Sequence, residues 1–236
     1  MLPKANVLDL YHGDNREAVP DFAALFINGI FGCIHKVSQG VHMVDKTYAP
    51  RRKAASGTSL LWGGYHFLTA DAPGEDQAKF FLDNATPDEN TLLACDFEKS
   101  SATPSLQQCR DFMAYVDLNA PAQTTCVLYS SDLIRETLRP QLAGHRSADM
   151  LGIEMFFAQH RLWLAEYGPH PNVPWPWSDK TISLMWSAPF LWQFMDTGRV
   201  NPIVGNVDVN YYPGSFDELK ANWTSLSSAT PNPAVT

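Results

Sequence analysis

Five times in the first 141 residues a short apolar run, rich in β-branched or aromatic side chains, is followed by a stretch with helical spacing. That rhythm restricts the chain to folds in which a parallel sheet is covered by helices. The strand candidates are 6–11, 29–37, 59–68, 90–98 and 124–131, and the helix candidates lie near 17–28, 46–56, 74–84, 104–118 and 131–141. After about residue 160 the pattern changes. RLWLAEYG at 161–168 reads as a sixth strand, but the stretch after it carries prolines at 169, 171, 174 and 176 and cannot form a helix interior. Further strands are expected within 186–194 and at 202–208, with little room for helices among the last three. Eight strands arranged this way fit an α/β fold of the modified TIM-barrel type, irregular and helix-poor in its last third, better than an open doubly wound sheet.

The chain has 236 residues, 45% apolar and 18% charged, which suits one sizeable core. We expect one catalytic barrel domain over 1–224 and a flexible tail at 225–236, where the sequence SLSSATPNPAVT (225–236) is small, polar and proline-bearing. Seventeen Lys and Arg against 25 Asp and Glu give a formal charge of −8, which argues against nucleic acid or an anionic lipid surface as partner. No apolar run approaches the roughly 20 residues of a membrane span, and the first 20 residues lack an export signal, so no membrane insertion is expected. Cys33, Cys95, Cys109 and Cys126 form no CxxC pair, and all four read as reduced, buried small residues.

In a parallel α/β barrel the chemistry sits at the C-terminal ends of the strands. Those positions hold mostly carboxylates here: Asp9 near the end of the first strand, Asp96 and Glu98 at the fourth, Glu166 at the sixth, Asp208 after the last. Strand side chains alternate with period 2, so Asp96 and Glu98 share one face with Phe97 opposite, their Cα atoms roughly 6.6 Å apart. Two carboxyl groups so placed can flank one glycosidic bond, and their repulsion and burial raise at least one pKa toward neutrality. The segment Trp62-Gly63-Gly64-Tyr65-His66-Phe67 offers two glycines for close approach and Tyr65 and His66 as pocket-lining groups. Trp175 and Trp177 suit an aromatic platform for sugar rings, whereas Trp163, Trp186 and Trp192 also suit core packing.

The order of these motifs resembles glycoside hydrolase family 25, the lysozyme-type muramidases, over residues 7 to about 212. Val7-Leu8-Asp9, Val44-Asp45-Lys46-Thr47-Tyr48-Ala49, Gly64-Tyr65-His66-Phe67, Asp96-Phe97-Glu98, Leu128-Tyr129-Ser130, Leu162-Trp163-Leu164-Ala165, and Trp192-Gln193-Phe194 with Gly205-Asn206-Val207-Asp208-Val209-Asn210 carry the resemblance. It implies a barrel of eight strands and about five helices, and hydrolysis of the β-1,4 bond from N-acetylmuramic acid to N-acetylglucosamine in the glycan strands of bacterial peptidoglycan. Glu98 would be the general acid and Asp96 would orient or stabilise the reacting sugar. Asp9 and Asp208 would complete an acidic floor, and Tyr65, His66, Tyr129, Glu166, Trp175, Trp177 and Trp192 would contact substrate. Retention of configuration, action on the cell wall as a monomer, and no cofactor or metal are the matching expectations. The sequence departs from the family's K-A-T-E-G stretch at Lys36-Val37-Ser38-Gln39-Gly40, where glutamine replaces the acid.

Two other readings remain open from the residues alone. Asp9, Asp96, Glu98, Asp208 and His66 could hold a hard cation in a metal-dependent hydrolase, although no HxH or HxxxH pair is present. A glycan-binding barrel without turnover would keep the same aromatics and acids.

Overall fold

The structure, a computed structural model, describes residues 4–121, 124–143, 148–167 and 185–224. Trp175, Trp177 and the expected tail at 225–236 lie outside the described residues. The strands are β1 (Val7–Leu10), β2 (Gly32–Gln39), β3 (Met43–Val44), β4 (Leu61–Phe67), β5 (Leu92–Asp96), β6 (Val127–Ser130), β7 (Leu162–Ala165), β8 (Leu191–Gly198) and β9 (Val207–Tyr211). Between and after them come α1 (Phe22–Ile27), α2 (Tyr48–Ala55), α3 (Gly74–Ala85), α4 (Leu106–Asn119), α5 (Asp132–Ala143), α6 (Ala148–Ala158) and α7 (Phe216–Trp223).

Eight strands close into a ring in the order β1, β2, β4, β5, β6, β7, β8, β9 and back to β1, and β3 is a short antiparallel flap on β2. The six pairings from β1 to β8 are parallel, whereas β9 runs antiparallel to both of its neighbours. The last two expected strands are therefore corrected. They lie at 191–198 and 207–211 rather than within 186–194 and at 202–208, and the second of them is reversed. A connection of eight residues, 199–206, is too short for the crossover that a parallel partner needs, so it returns as a hairpin.

Among the described residues there are seven α-helices, against an expected five or so. Helix α6 is mostly apolar, and its two acids, Asp149 and Glu154, leave no 3.6-residue periodicity to read. Helix α7 announces itself with a capping box between Ser215 and Glu218, a signal the strand-centred reading passed over.

Alternation along each strand builds two cores. Inward residues such as Val7, Ile34, Leu92, Ala94, Val127, Tyr129 and Trp163 fill the barrel, and the outward set, including Leu8, Cys33, Leu93, Cys95, Phe97 and Leu128, packs under the helices. Helix α4 shows the outer logic. Ser105 caps its start in a box with Gln108, and Leu106, Cys109, Phe112, Met113 and Val116 fall on its buried face. Burying one side chain like Phe112 contributes about 1.5–3 kcal/mol. Helix α7 closes the lower end of the barrel: its Trp223 indole donates to the Trp62 carbonyl at 2.8 Å and lies so close to Gly32 that a Cβ there would sit 2.7 Å from the ring. All four cysteines are buried and unbridged. No helix among the described residues is long and apolar enough to cross a membrane.

Candidate active site

The open end of the barrel gathers the strand-terminal acids. Asp96 follows Leu92 and Ala94 on the inward face of β5 and ends the strand, while Phe97 turns into the outer core; Glu98 follows just beyond the strand, near enough for its charge to act on Asp96. Asp9 at the end of β1 stands in register opposite Asp208. Because β9 is antiparallel, it is the beginning of this strand that reaches the mouth, and Asp208 sits there as its second residue. Asp9 and Asp96 are almost fully buried, and Glu98 and Asp208 are half-buried.

The inner surface anchors Asp9 tightly. Gln193 Nε2 and Asn210 Nδ2 both donate to Asp9 Oδ2, at 2.9 and 2.8 Å. Each amide is itself oriented. The hydroxyls of Tyr129, at 2.9 Å, and of Tyr167 donate to Gln193 Oε1, and the Trp163 indole N–H donates to Asn210 Oδ1 at 2.6 Å. Tyr129 meets Trp163 edge-on with ring centroids 4.5 Å apart, and Tyr65 meets the same indole at 6.3 Å.

Crowding of carboxyl groups in a dehydrated mouth favours protons over charges. Burial lifts Asp9 to about 6, against the opposing pull of the Asn210, Gln193 and Asp208 hydrogen bonds. Burial and the Asp9 charge lift Asp208 to about 9, so the facing pair shares a proton that resides on Asp208. Burial, then the Glu98 charge, push Asp96 well above the ordinary carboxylate range, with Lys36 opposing. Glu98 is raised by burial and restrained by a hydrogen bond from Ser131. The Asp96 Oδ1 atom is buried with no hydrogen-bond partner. It is a polar atom awaiting a donor, which a bound ligand can supply.

The sequence model of glycosyl hydrolases family 25 fits residues 8–203 of this chain. The chain belongs to this family. It is 25% identical over 190 residues to the uncharacterized protein YegX of Escherichia coli O157:H7, covering 79% of this chain and 60% of that one. It is 26% identical to lysozyme M1 of Streptomyces globisporus over 199 residues, 79% of this chain and 61% of the relative. The chain thus spans about three fifths of the length of these curated relatives. The crystal structure of the bacterial lysozyme from Streptomyces coelicolor superimposes with a TM-score of 0.72 at 20% identity, covering 95% of this chain and 99% of that one.

Within this family 25 barrel, not every residue nominated from the sequence reaches the mouth. His66 is corrected. It projects from the outer face of β4, wholly buried, stacked on Phe112 at 4.9 Å and hydrogen-bonded to Ser38 Oγ at 2.8 Å and Gln77 Oε1 at 3.2 Å. Burial lowers it to about 3, so it is a neutral packing residue, and the residue between Tyr65 and Phe67 has to face the other way. Trp192 is corrected for the same reason. It lies in the outer core against Phe194, its indole N–H on the Glu166 carbonyl at 3.0 Å. Glu166 stays at the rim, ion-paired with Arg135 of α5 rather than joined to the other acids. Tyr129 is inside the barrel but 7% exposed, a support for Gln193 rather than a surface for a ligand. Tyr65 lies among Asp9, Asp96 and Asp208, whose charges, after burial, hold its phenol well above its usual pKa.

The residues missed were Gln193, Asn210, Tyr167 and Lys36. Alternation offered a signal for two of them: Asn210 shares a face with Asp208, and Gln193 faces opposite to Trp192. Among the described residues no group of three or more His, Cys, Asp or Glu side chains is arranged to hold a metal ion. With His66 under the helices, the mixed oxygen and imidazole set is not assembled.

Proposed function

We propose that the chain is a muramidase that hydrolyses the β-1,4 bond between N-acetylmuramic acid and N-acetylglucosamine in bacterial peptidoglycan. The observation that carries this reading is the gathering of acids at one end of the barrel: Asp96 at the end of β5 feels the charges of Glu98 and Asp9, and Asp9 stands in register opposite Asp208. Family membership and the lysozymes among its relatives support the same substrate class.

In this mechanism Glu98, the more exposed acid, gives its proton to the glycosidic oxygen as the bond from C1 breaks. The acetamide oxygen of the same sugar closes on C1, while Asp96 accepts the acetamide N–H through the oxygen that lacks a protein partner. Water then adds to C1 from the face the leaving group vacated. Its proton passes to Glu98, the acetamide is released, and configuration is retained. Asp9, fixed by Gln193 and Asn210, can offer negative charge beneath the developing oxocarbenium ion, and the protonated Asp208 facing it keeps the floor rigid. Buried side chains already locked by hydrogen bonds cost no reorganisation during the reaction.

The test is a digest of purified peptidoglycan followed by mass spectrometry of the products. The native chain is expected to release fragments ending in reducing N-acetylmuramic acid, and Glu98→Gln to slow release by about 10²–10⁴-fold while folding normally. A Glu98→Gln protein that clears the polymer at the native rate would overturn the assignment. Fragments ending in reducing N-acetylglucosamine would move the cut to the other bond.

A further inference from the structure

A lysine stands among the acids. On β2 the inward side chains run from Ile34 to Lys36, and Lys36 stands in register with Tyr65 of β4. Its ammonium lies 4.9 Å from the ring centroid of Phe67, and Phe67 is the register partner of Asp96 on β5. Lys36, Phe67 and Asp96 therefore form a row across three neighbouring strands at the mouth. The nitrogen donates one hydrogen bond among the described residues, to Gln39 Oε1 at 2.8 Å.

The contact with Gln39 depends on a break in the strand. By simple alternation residues 36 and 39 would face opposite sides. A β-bulge shifts the pairing so that Lys36 opposes Tyr65, Ser38 opposes His66 and Gln39 opposes Phe67. Ser38 then turns outward to His66 Nδ1 at 2.8 Å, and Gln39 turns inward to the lysine. Bulges re-aim side chains in this way at functional sites. The acceptor aimed at Lys36 is neutral, so it fixes the ammonium without cancelling its charge; a glutamate there would neutralise it.

We propose that Lys36 is a positioning residue that favours the anionic form of Asp96, against burial and its acidic neighbours, when sugar fills the cleft, with Gln39 as the neutral group that aims it. The groups facing Asp96 are Glu98 beyond its own strand, Asp9 from β1, Lys36 from β2, Tyr65 from β4 and Tyr129 from β6. Lys36 is the one cation in that set. Burial first, and then the Glu98 and Asp9 charges, press Asp96 toward protonation, and a protonated Asp96 is a poorer acceptor for an acetamide N–H. The role in turnover rests on the muramidase reading, but the coupling between Lys36 and Asp96 does not.

Two measurements on the full chain separate these. Without any substrate, carbon-13 NMR follows the carboxyl titrations, with Asp96→Asn assigning the resonance. Lys36→Met is expected to raise the Asp96 midpoint by about one unit or more, Gln39→Glu to raise it less, and Lys36→Arg to hold it near the native value. With peptidoglycan, Lys36→Met is expected to lower kcat about tenfold, leave KM within about twofold, and move the acid limb of the pH profile upward together with the NMR midpoint. Lys36→Gln replaces Lys36→Met should the latter fail to fold. An unmoved Asp96 midpoint overturns the proposal, and so does a rise in KM at constant kcat, which would make Lys36 a plain binding charge. A moved midpoint in a chain that cuts no peptidoglycan upholds the coupling and removes the muramidase reading instead.

Discussion

Both faces of the barrel strands bury ionisable groups, with opposite consequences. On the inner face the buried groups are carboxylic acids, and burial lifts Asp9 to about 6 and Asp208 to about 9. On the outer face they are histidines, and burial lowers His66 to about 3 and His35 to about 4. Both shifts come from the same penalty on charge in a dehydrated place. The inner pair is raised so that it holds a proton between its two carboxyls. The outer ones are neutral struts: His66 between Ser38 and Gln77, His35 bonded to the Lys36 carbonyl at 2.7 Å and to Thr47 Oγ1 at 3.2 Å. Residues adjacent in sequence, Tyr65 and His66, Asp96 and Phe97, Trp192 and Gln193, thus serve separate ends.

The contrast is strongest in pure packing. Phe112→Ala, under the helices, removes the ring stacked on His66 and is expected to cost about 3–5 kcal/mol of unfolding free energy in denaturant titrations, with kcat per folded molecule unchanged. A large fall in kcat without loss of stability would show that the outer layer communicates with the mouth.

The mouth is expected to respond to pH in the other direction. A carboxyl raised on folding contributes stability that is complete below its unfolded pKa, near 4, and is lost as pH rises through its folded value. Asp208 therefore weakens the fold progressively from about pH 4 toward pH 9. Asp208→Asn is expected to leave the Tm unchanged near pH 4 and raise it at pH 8, a gain on the order of 3 kcal/mol for a pair that shares one proton. A Tm gain that is the same at both pH values would remove the proton-sharing picture of Asp9 and Asp208.

A smaller effect separates the histidine from the chemistry. His66→Gln is expected to cost about 1–2 kcal/mol at pH 7 through lost stacking and hydrogen bonds. Because a lowered histidine gives stability that is present above its unfolded pKa and lost as pH falls, the native chain weakens below about pH 6.5. The deficit of the variant should narrow there, and its KM for peptidoglycan should not move. A raised KM would return His66 to the cleft and sink its assignment to the outer layer.

The strands through β7, apart from the two-residue flap β3, and the opposite facing of Asp96 and Phe97 were legible because period 2 is a local property of an extended chain. The site was legible only as far as that period carries. Gln39 escaped it because a bulge, visible only in the pairing with β4, reverses its face. Helix α6 escaped because a mostly apolar segment without a distinct polar face has no phase.

Alternation and spacing in the sequence settled which side chains travel together. They did not decide which of the two faces became the inside. Closure of the ring decided it, setting Asp9 against Asp208 and bringing Gln193 and Asn210, 184 and 201 positions away, onto one carboxylate oxygen. Side-chain period is written residue by residue, whereas the direction of β9 and the anchoring of Asp9 depend on where distant segments meet once the hydrophobic interior has chosen its side.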